Sequence, residues 1–396
     1  MTMIDFKQAT ESLYDEMVRV RRDLHQYPEL AFEEFRTASI VAEQLTQLGL
    51  EVQSGVGKTG VVGILEGAQE GMTVLVRADM DALPIHELNE VAYASTVAGK
   101  MHACGHDAHT AIALGVAKLF SQHRDQVHGR IKFVFQPAEE IAAGAKAMID
   151  DGVLTAPRPD VTLGLHVWNS LPIGQFRLGS GAVMAGSKSF RIDIIGRGGH
   201  GASPHETADP IVVATQIVSA FQTIVSRNVD PIDTAVVSVT QIHAGDAHNV
   251  IPQMAMLSGT TRAFKSEVHH LIEQRMHAIV NHVASAFGCT ATLTFSEGTL
   301  PVSNDPAVTQ QVIGAVAPVT ERFKTSVTPE ITMGAEDVGL LMTDVPGAFW
   351  FIGSANAERG LDYGHHHPRF DIDETVLQIG AEVLARSVAS YVCMNS

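Results

Sequence analysis

One short segment of the sequence concentrates side chains that bind metals. Within nine residues, Met101–His109 carries three imidazoles, a thiol and a carboxylate: His102, Cys104, His106, Asp107 and His109. Imidazole and thiolate are donors that suit zinc and related divalent metals, and two ligands on one turn fix two coordination positions. The alternative is an ordinary helix start, with Asp107 as the N-cap and the histidines on the surface. The density of donors favours the metal site.

Further donor residues follow three apolar runs that are predicted as strands. These are Asp79 and Asp81 after Thr73–Ala78, Glu139 and Glu140 after Arg130–Phe135, and His166 after Val161–Leu165. Side chains two apart on an extended chain point the same way, so both aspartates could reach one site. Neighbouring residues that leave a strand can point differently, so one glutamate could bind a metal while the other acts as a base. The turn Gly364–Phe370 adds three further histidines.

Alternating strands and helices must position these residues. Helical segments between Val18 and Leu48 are interrupted near Pro28, and Gly49 fits a helix stop. A helix is also predicted over Asp107–Gln122, between the first two strands. This alternation predicts an α/β layer with a largely parallel sheet, in which ligands sit beyond the carboxyl ends of the strands.

From Ser187 the order changes to strand, helix, strand, strand, helix, strand. The six segments are Lys188–Ile195, Ala208–Ser226, Thr234–His243, Met254–Ala263, Glu267–Phe287 and Thr290–Phe295. This βαββαβ order is that of a ferredoxin-like unit. After Gly298 the α/β pattern resumes, with segments Ala307–Ala317, Ala348–Ile352 and Glu374–Val392. We therefore predict a catalytic metal-binding domain of residues 1–186 and 297–396, with an inserted lid or dimerisation domain of residues 187–296.

Composition excludes several classes of partner. The 396 residues include 27 Lys plus Arg against 44 Asp plus Glu, a net charge of −17, which argues against a nucleic-acid partner. The longest uncharged stretches, Pro210–Ser226 and Met276–Ser296, contain polar residues and are poor bilayer spans. Met1–Val20 shows no apolar core of an export signal, and three cysteines are too few for a disulfide framework. We therefore expect a cytoplasmic protein without a membrane partner.

Nine motifs together resemble one known family. They are Arg22–Glu29, Arg77–Pro84, His102–His109, Phe135–Glu140, Gly164–Trp168, Gly198–His205, His248–Pro252, Gly334–Asp337 and His366–Pro368. In order and spacing they resemble the metal-dependent amidohydrolases and carboxypeptidases that include hippurate hydrolase, bacterial N-acyl-amino-acid deacylases and plant auxin-conjugate hydrolases. The resemblance runs along nearly the whole chain.

The resemblance implies a ligand set and a base. The implied metal ligands are Cys104, His106, Glu140, His166 and His366. His366 is chosen over His365 and His367 because the family's ligand stands two residues before the proline. Glu139 is the implied general base. Two divalent ions per subunit are expected, with zinc first and manganese or cobalt as alternatives. The wider superfamily has a His-x-Asp where this chain has Asp79-Met-Asp81, so the number and identity of the metals stay open.

Other residues are given roles by the same resemblance. It implies that His200 stabilises the tetrahedral oxyanion, commonly in the partner subunit's site, so a homodimer or higher homo-oligomer is expected. Asn249 and Arg262 look like the pair that holds a substrate carboxylate, for which a planar guanidinium is suited. The alternative for Arg262 is a surface cation. Asp81 is expected to orient a metal-bound group, with strand-end solvation as the alternative.

These expectations lead to one hypothesis with two rivals. The hypothesis is hydrolysis of the amide bond of N-acyl amino acids or short peptides, with a metal-bound water as nucleophile and Glu139 moving its proton. Candidate walls of an acyl pocket are Met80, Leu165, Trp168 and Met184. One rival is an aminopeptidase or dipeptidase, in which Glu336 or Asp337 meets the free amine. The other is a metal-binding dimer without catalysis, against which the presence of Glu139 argues.

Overall fold

The computed structural model describes residues 4–393, so the ends of the predicted catalytic domain, residues 1–3 and 394–396, lie outside it. The helices in this range are α1 (Phe6–Gln26), α2 (Phe35–Gln47), α3 (His106–Gln122), α4 (Gly144–Asp150), α5 (Pro210–Arg227), α6 (Ser266–Ala286), α7 (Pro306–Arg322), α8 (Val338–Leu341) and α9 (Thr375–Val392). None of these described helices is both long and apolar enough to span a bilayer.

The strands follow the same chain order. They are β1 (Glu51–Val56), β2 (Gly60–Glu66), β3 (Gln69–Asp79), β4 (His128–Gln136), β5 (Val161–Pro172), β6 (Phe176–Arg177), β7 (Gly181–Met184), β8 (Gly186–Ile195), β9 (Gly199–His200), β10 (Ala235–Ala244), β11 (Val250–Ile251), β12 (Met254–Ala263), β13 (Thr290–Phe295), β14 (Val302–Asn304), β15 (Val327–Thr328) and β16 (Gly347–Ala355).

The described part of the chain divides into two compact units. The first comprises residues 4–183, Val302–Ile331 and residues 337–393, and the second comprises Met184–Pro301 with Thr332–Glu336. The donor residues of the Met101–His109 segment belong to the first unit.

The first unit is built on an eight-stranded sheet in the order β1-β2-β4-β3-β5-β16-β6-β15. Strands β4, β3, β5 and β16 pair in parallel, whereas β1, β2 and β6 join through antiparallel pairs. The predicted α/β fold with a largely parallel sheet is therefore confirmed. The central strands are buried on both faces, as parallel strands under helices must be.

One detail of the sequence interpretation is wrong. His166 was placed after the end of its strand, but β5 continues to Pro172 and His166 lies inside it. The reason is the neighbouring strand: β16 pairs with β5 along this length, with Phe351 opposite His166. The side chain of His166 therefore takes its direction from the sheet rather than from a loop.

Helix α3 lies at the centre of the first unit's core. Nearly all of its residues are buried, and α1, α2 and α9 pack around it. Gly105 precedes α3 with φ 90°, and a Cβ there would lie 2.4 Å from the Val167 Cγ2 of β5. Only glycine fits this approach, which brings the start of α3 against β5. Met80 and Leu165, the expected acyl-pocket walls, are 0% and 3% exposed and belong to the same core.

The second unit has a four-stranded antiparallel sheet in the order β10-β12-β8-β13. Helices α5 and α6 cover it, and Ile192, Ile217 and Ile272 are among the fully buried residues of its core. The elements begin and end within two residues of the bounds predicted from hydrophobic periodicity. A separate two-stranded ladder joins β9 to β11.

Candidate active site

Three donor side chains converge at the start of α3. One ligand atom each from Cys104, His106 and Glu140 lies within 4.8 Å of the others. The Nδ1–H of His106 donates to the backbone carbonyl of Asp81 at 2.8 Å, so its Nε2 is the ring nitrogen that is left for the cluster. Within residues 4–393, neither that Nε2 nor the buried Oε1 of Glu140 has a hydrogen-bond partner. Buried polar atoms without partners are costly, and a divalent cation that replaces the proton on His106 would satisfy both, so these residues fit one.

His166 presents a second imidazole in the same way. Its Nδ1–H donates to the carbonyl of Val167 at 2.6 Å, which leaves Nε2 to accept from the Cys104 thiol at 3.6 Å. Burial, with the nearby His109, lowers the pKa of His166 well below its usual range. The ring therefore stays neutral, which is the form that binds metals.

The three histidines of the 364–370 turn lie in different surroundings. His365 accepts the Asn169 N–H at its Nε2 (3.1 Å), so its Nδ1–H faces the Cys104 sulfur at 3.7 Å. Burial lowers the pKa of His365 to about 3. His366 has φ 65°, and its Nε2 lies 3.4 Å from the Glu140 Oε2. His367 stacks on the ring of Tyr363, with centroids 4.5 Å apart. His366, the ligand that the resemblance implies, thus lies beside Glu140.

Protonation of the cluster depends on burial. Burial and the Glu140 charge raise the pKa of the Cys104 thiol well above its usual range. Burial opposes protonation of His106, but the Asp79 charge and the Asp81 carboxylate, 3.3 Å from Nδ1, outweigh it and raise the pKa of His106. Both residues would therefore release a proton when they bind a cation, as ligation by thiolate and neutral imidazole requires.

The turn after β4 carries the two adjacent glutamates. Asp81 accepts the backbone N–H of Glu139 and of Glu140, each at 3.0 Å, with a different carboxylate oxygen. The carboxylate of Glu139 is about nine-tenths buried, and its Oε2 lies 3.9 Å from His106 Nε2. A Cβ at Gly144 would lie 1.5 Å from the carbonyl oxygen of Pro137, so the turn closes only with glycine. The fold thus places a second carboxylate next to the donor cluster.

Two further donor residues at the site are held by the protein itself. Asp79 accepts from His109 Nδ1 at 2.5 Å and from Arg77 Nη1 at 2.7 Å. His109 Nε2 in turn accepts the Val167 N–H at 2.9 Å. Burial opposes ionisation of Asp79, but the Arg77 guanidinium outweighs it and holds the pKa well below the usual range. The sequence analysis gives no role to Arg77, although a charged residue within a predicted buried strand was a signal for one.

The alternative of an ordinary helix start is wrong. Gly105, not Asp107, is the N-cap of α3, and His102, His106 and His109 are all buried. The Asp107 carboxylate instead accepts from Arg21 Nε and pairs with His25 Nδ1, both at 2.8 Å. Arg21 is fully buried. Buried charged side chains therefore hold the start of α3. They lie too far apart in sequence for these contacts to be predicted from it.

The remaining predicted residues lie in the second unit. His200 on β9 pairs with Val250 on β11, and the Gly201 N–H donates to the Asn249 carbonyl at 2.8 Å, so His200 and Asn249 are neighbours. Arg262 on β12 is half-buried, which lowers the pKa of its guanidinium. No carboxylate in the described part of the chain pairs with Arg262. A half-buried cation without an ion-pair partner can receive an external anion.

Three kinds of comparison relate this chain to known proteins. The sequence pattern of peptidase family M20/M25/M40 matches residues 75–390. The chain is 40% identical to thermostable carboxypeptidase 1 of Saccharolobus solfataricus, over 95% of each chain. It is also 40% identical to N-acetyl-L-cysteine deacetylase of Bacillus subtilis, over 92% of this chain and 86% of the relative. The solved YXEP protein of Bacillus subtilis, a dinuclear metal-binding peptidase, is 33% identical with a TM-score of 0.82, covering 96% of this chain and 98% of that one.

Proposed function

This chain belongs to peptidase family M20/M25/M40, and we propose that it hydrolyses the amide bond of N-acyl amino acids. Family membership makes it a metal-dependent hydrolase of amide bonds. The observation that carries the proposal is that adjacent residues, Glu139 and Glu140, place one carboxylate in the donor cluster and another beside it. A deacetylase of an N-acyl amino acid among the relatives supports this substrate class.

The proposed ligands of two divalent ions are Cys104, His106, Glu140, His166 and His366. The Nε2 atoms of His106 and His166 support this assignment because Nδ1 of each ring is bonded to a backbone carbonyl, which leaves Nε2 for the cluster. The position of His366 beside Glu140 supports it too. Zinc is the first choice because the donors are imidazole, thiolate and carboxylate, and manganese or cobalt are alternatives. Such ions supply Lewis-acid polarisation of the amide carbonyl and lower the pKa of water.

Glu139 moves the proton in this mechanism. Its carboxylate takes a proton from the attacking water as the carbon–oxygen bond forms. The same proton then passes to the amide nitrogen as the carbon–nitrogen bond breaks, giving a carboxylic acid and a free amine. Asp81 orients this step because it holds the backbone of Glu139 and Glu140.

The second unit supplies the remaining groups in this proposal. Arg262 and Asn249 hold the substrate's carboxylate, and His200 stabilises the oxyanion in the site of the partner subunit of a homodimer. The unpaired, half-buried guanidinium of Arg262 and the proximity of His200 to Asn249 support these roles. We further propose that residues 187–296 form a ferredoxin-like lid and dimerisation domain inserted between residues 1–186 and 297–396.

The rival aminopeptidase or dipeptidase activity is less well supported. It requires an acid that is free to meet the substrate's amine. Asp337 is fully buried and accepts from Gln136 Nε2 at 2.6 Å and from the Ala145 N–H at 2.9 Å. The carboxylate of Asp337 is therefore committed to the fold, which leaves Glu336 as the acid that this rival requires. We place the activity in the cytoplasm because Cys104 must stay reduced to serve as a ligand.

Amino-acid release from a panel of N-acyl amino acids and dipeptides tests the proposal. The protein is loaded in turn with Zn²⁺, Mn²⁺ or Co²⁺, with a chelated sample as control. Metal-dependent release from N-acyl substrates is the expected result. Release from dipeptides alone would replace the proposal with a peptidase, and no release with any metal would support the non-catalytic alternative.

Subunit mixing tests the proposed role of His200. Glu139→Gln and His200→Ala chains, each nearly inactive, should recover activity when mixed if one site uses both subunits. Failure to recover after demonstrated subunit exchange would contradict this role.

A further inference from the structure

We propose that Glu34 is a positioning residue that fixes the turn carrying Glu139 and Glu140. Glu34 directly precedes α2 and is 0% exposed. Its Oε1 accepts the backbone N–H of Ala138 at 2.9 Å, and its Oε2 accepts the hydroxyl of Thr59 at 2.5 Å. The inference deepens the proposed function, on which it rests, because it concerns the same base and ligand.

Two carboxylates together hold three consecutive backbone groups. Glu34 accepts the N–H of Ala138, and Asp81 accepts those of Glu139 and Glu140. Ala138 has φ 51°, a left-handed conformation that costs free energy for any residue with a Cβ. Such a conformation persists where the surroundings fix it, and the two carboxylates, both from earlier segments of the chain, do so here.

Glu34 is not needed to begin its own helix. The first free N–H groups of α2, those of Arg36 and Thr37, donate to the carboxylate of Glu29 at 2.9 and 2.8 Å. The Glu34 side chain makes no capping hydrogen bond to α2. A buried carboxylate that pairs with no cation in the described residues is costly. Burial accordingly raises the pKa of Glu34. Because Glu34 does not cap α2, its hydrogen bond to Ala138 is the contact that accounts for the buried carboxylate.

The same carboxylate connects three segments of the first unit. Thr59 lies in the turn between β1 and β2, and the neighbouring Gly57 N–H donates to Asp151 Oδ2 at 2.7 Å. The Lys58 ammonium lies 3.8 Å from the centre of the Phe32 ring, beside the start of α2. Glu34 therefore ties α2 and the β1–β2 turn to the turn after β4.

Loss of Glu34 should affect both adjacent glutamates at once. Without its acceptor, the Ala138 N–H is unsatisfied and the left-handed turn is free to relax. Glu139 then shifts from the water it deprotonates, and Glu140 shifts from the donor cluster. The turnover number and the metal affinity should fall together. KM should stay nearly constant because Glu34 is not assigned a substrate contact.

Glu34→Ala, Glu34→Gln and the control Glu29→Ala test this role. Glutamine can accept the Ala138 N–H and donate to Thr59, so it should keep the geometry. We expect Glu34→Ala to lower kcat and the affinity for Co²⁺ by about 10–100-fold each, the usual effect of losing a group that orients a ligand. Glu34→Gln should restore both values to near wild type. Glu29→Ala should lower the free energy of unfolding while kcat and Co²⁺ affinity stay unchanged.

Two results would overturn the proposal. One is a Glu34→Ala protein whose kcat and Co²⁺ affinity match those of Glu29→Ala. The other is a Glu34→Gln protein that is as impaired as Glu34→Ala. If the alanine variant does not fold, Thr59→Val removes one hydrogen bond to Glu34 and should weaken Co²⁺ affinity in the same direction; unchanged affinity would count against the role. The Co²⁺ titration uses no substrate, so it stands even if N-acyl amino acids prove not to be the substrates.

Discussion

The Nδ1–H of His106 donates to the backbone carbonyl of Asp81 at 2.8 Å. This bond fixes the ring orientation of His106, so Nε2 is the nitrogen left for the donor cluster. The side chain of Asp81 acts in a different direction, because its two oxygens hold the backbone of Glu139 and Glu140. One residue thus orients a proposed ligand through its main chain and the proposed base through its side chain.

These two roles can be separated by Asp81→Asn. Asparagine keeps the backbone carbonyl for His106 but has one acceptor oxygen, so its amide group would face one of the two N–H donors. We expect kcat and the metal affinity to fall together by about 10–100-fold, because Glu139 and Glu140 lose a common support while the contact to His106 is kept. Asp305→Asn is the control, because Asp305 accepts the Ala307 and Val308 N–H groups at the exposed start of α7. Asparagine caps helices as well as aspartate, so equal losses in both variants would contradict the orienting role.

Glu139→Gln and Glu140→Gln should separate base from ligand. Glu139→Gln removes the proton acceptor and should lower kcat by about 10²–10⁴-fold with metal still bound. Glu140→Gln weakens a proposed ligand and should lower metal content. Metal analysis beside steady-state kinetics measures both. If Glu139→Gln turned over substrate like the wild type, the assignment of the base would be wrong.

Gly144→Ala should disrupt the turn after β4. Its Cβ would lie 1.5 Å from the backbone oxygen of Pro137, so the backbone must move. We expect a loss of at least about 1–3 kcal/mol in the free energy of unfolding, as for overpacking at a rigid site. Gly314→Ala on α7 is the control, since no atom lies within 4 Å of that Cβ. It should stabilise the protein by about 0.5–1 kcal/mol. Urea denaturation measures both.

His25 should make stability fall as the pH rises. Burial and the Arg21 charge oppose its protonation, but its hydrogen bonds to Asp107 and Glu87 outweigh them and raise its pKa. The folded state therefore favours protonated His25. Its stabilisation is full below the unfolded pKa of about 6.5 and is lost as the pH rises through the higher folded pKa.

Urea denaturation across this pH range should give a flatter dependence for His25→Gln than for the wild type. His282→Gln, the same substitution at an exposed position on α6, is the variant with which the slope of His25→Gln is compared. An unchanged slope in His25→Gln would show that the histidine is not preferentially protonated in the folded state.

Removal of metal by a chelator should lower the melting temperature. A cation that binds the folded state alone adds about 2.7 kcal/mol when its concentration is 100 times Kd. Cys104→Ala, which lacks a proposed ligand, should show a smaller chelator effect in thermal denaturation. Cys289→Ala in the core of the second unit should lose stability through its cavity yet keep the full chelator effect. Equal chelator effects in both variants would remove Cys104 from the ligand set.

The periodicity of the sequence determined much of the fold. The predicted bounds of β12 and β13 agree with the structure to the residue, and each strand begins two residues after a chain-breaking residue, Pro252 or Gly288. The start of α3 was predicted within one residue, and the alternation of strands and helices gave the largely parallel sheet. Residue types and spacing also indicated a metal centre, since few uses require thiol, imidazole and carboxylate groups so close together.

Tertiary structure alone decided how each donor is used. Asp79 and His109 have the chemistry of ligands, but hydrogen bonds within the protein already use them. Asp79 accepts from Arg77 and from His109, and His109 Nε2 accepts the Val167 N–H. His365 and His366 are neighbours in sequence, yet one faces Cys104 and the other Glu140.

Glu34 carried no signal in the sequence, because its partners Thr59 and Ala138 are 25 and 104 residues away. Local periodicity follows from the period of the backbone itself and can be detected in a short window. Which lone pair stays free depends on hydrogen bonds between segments distant in sequence, and only the folded chain brings those together.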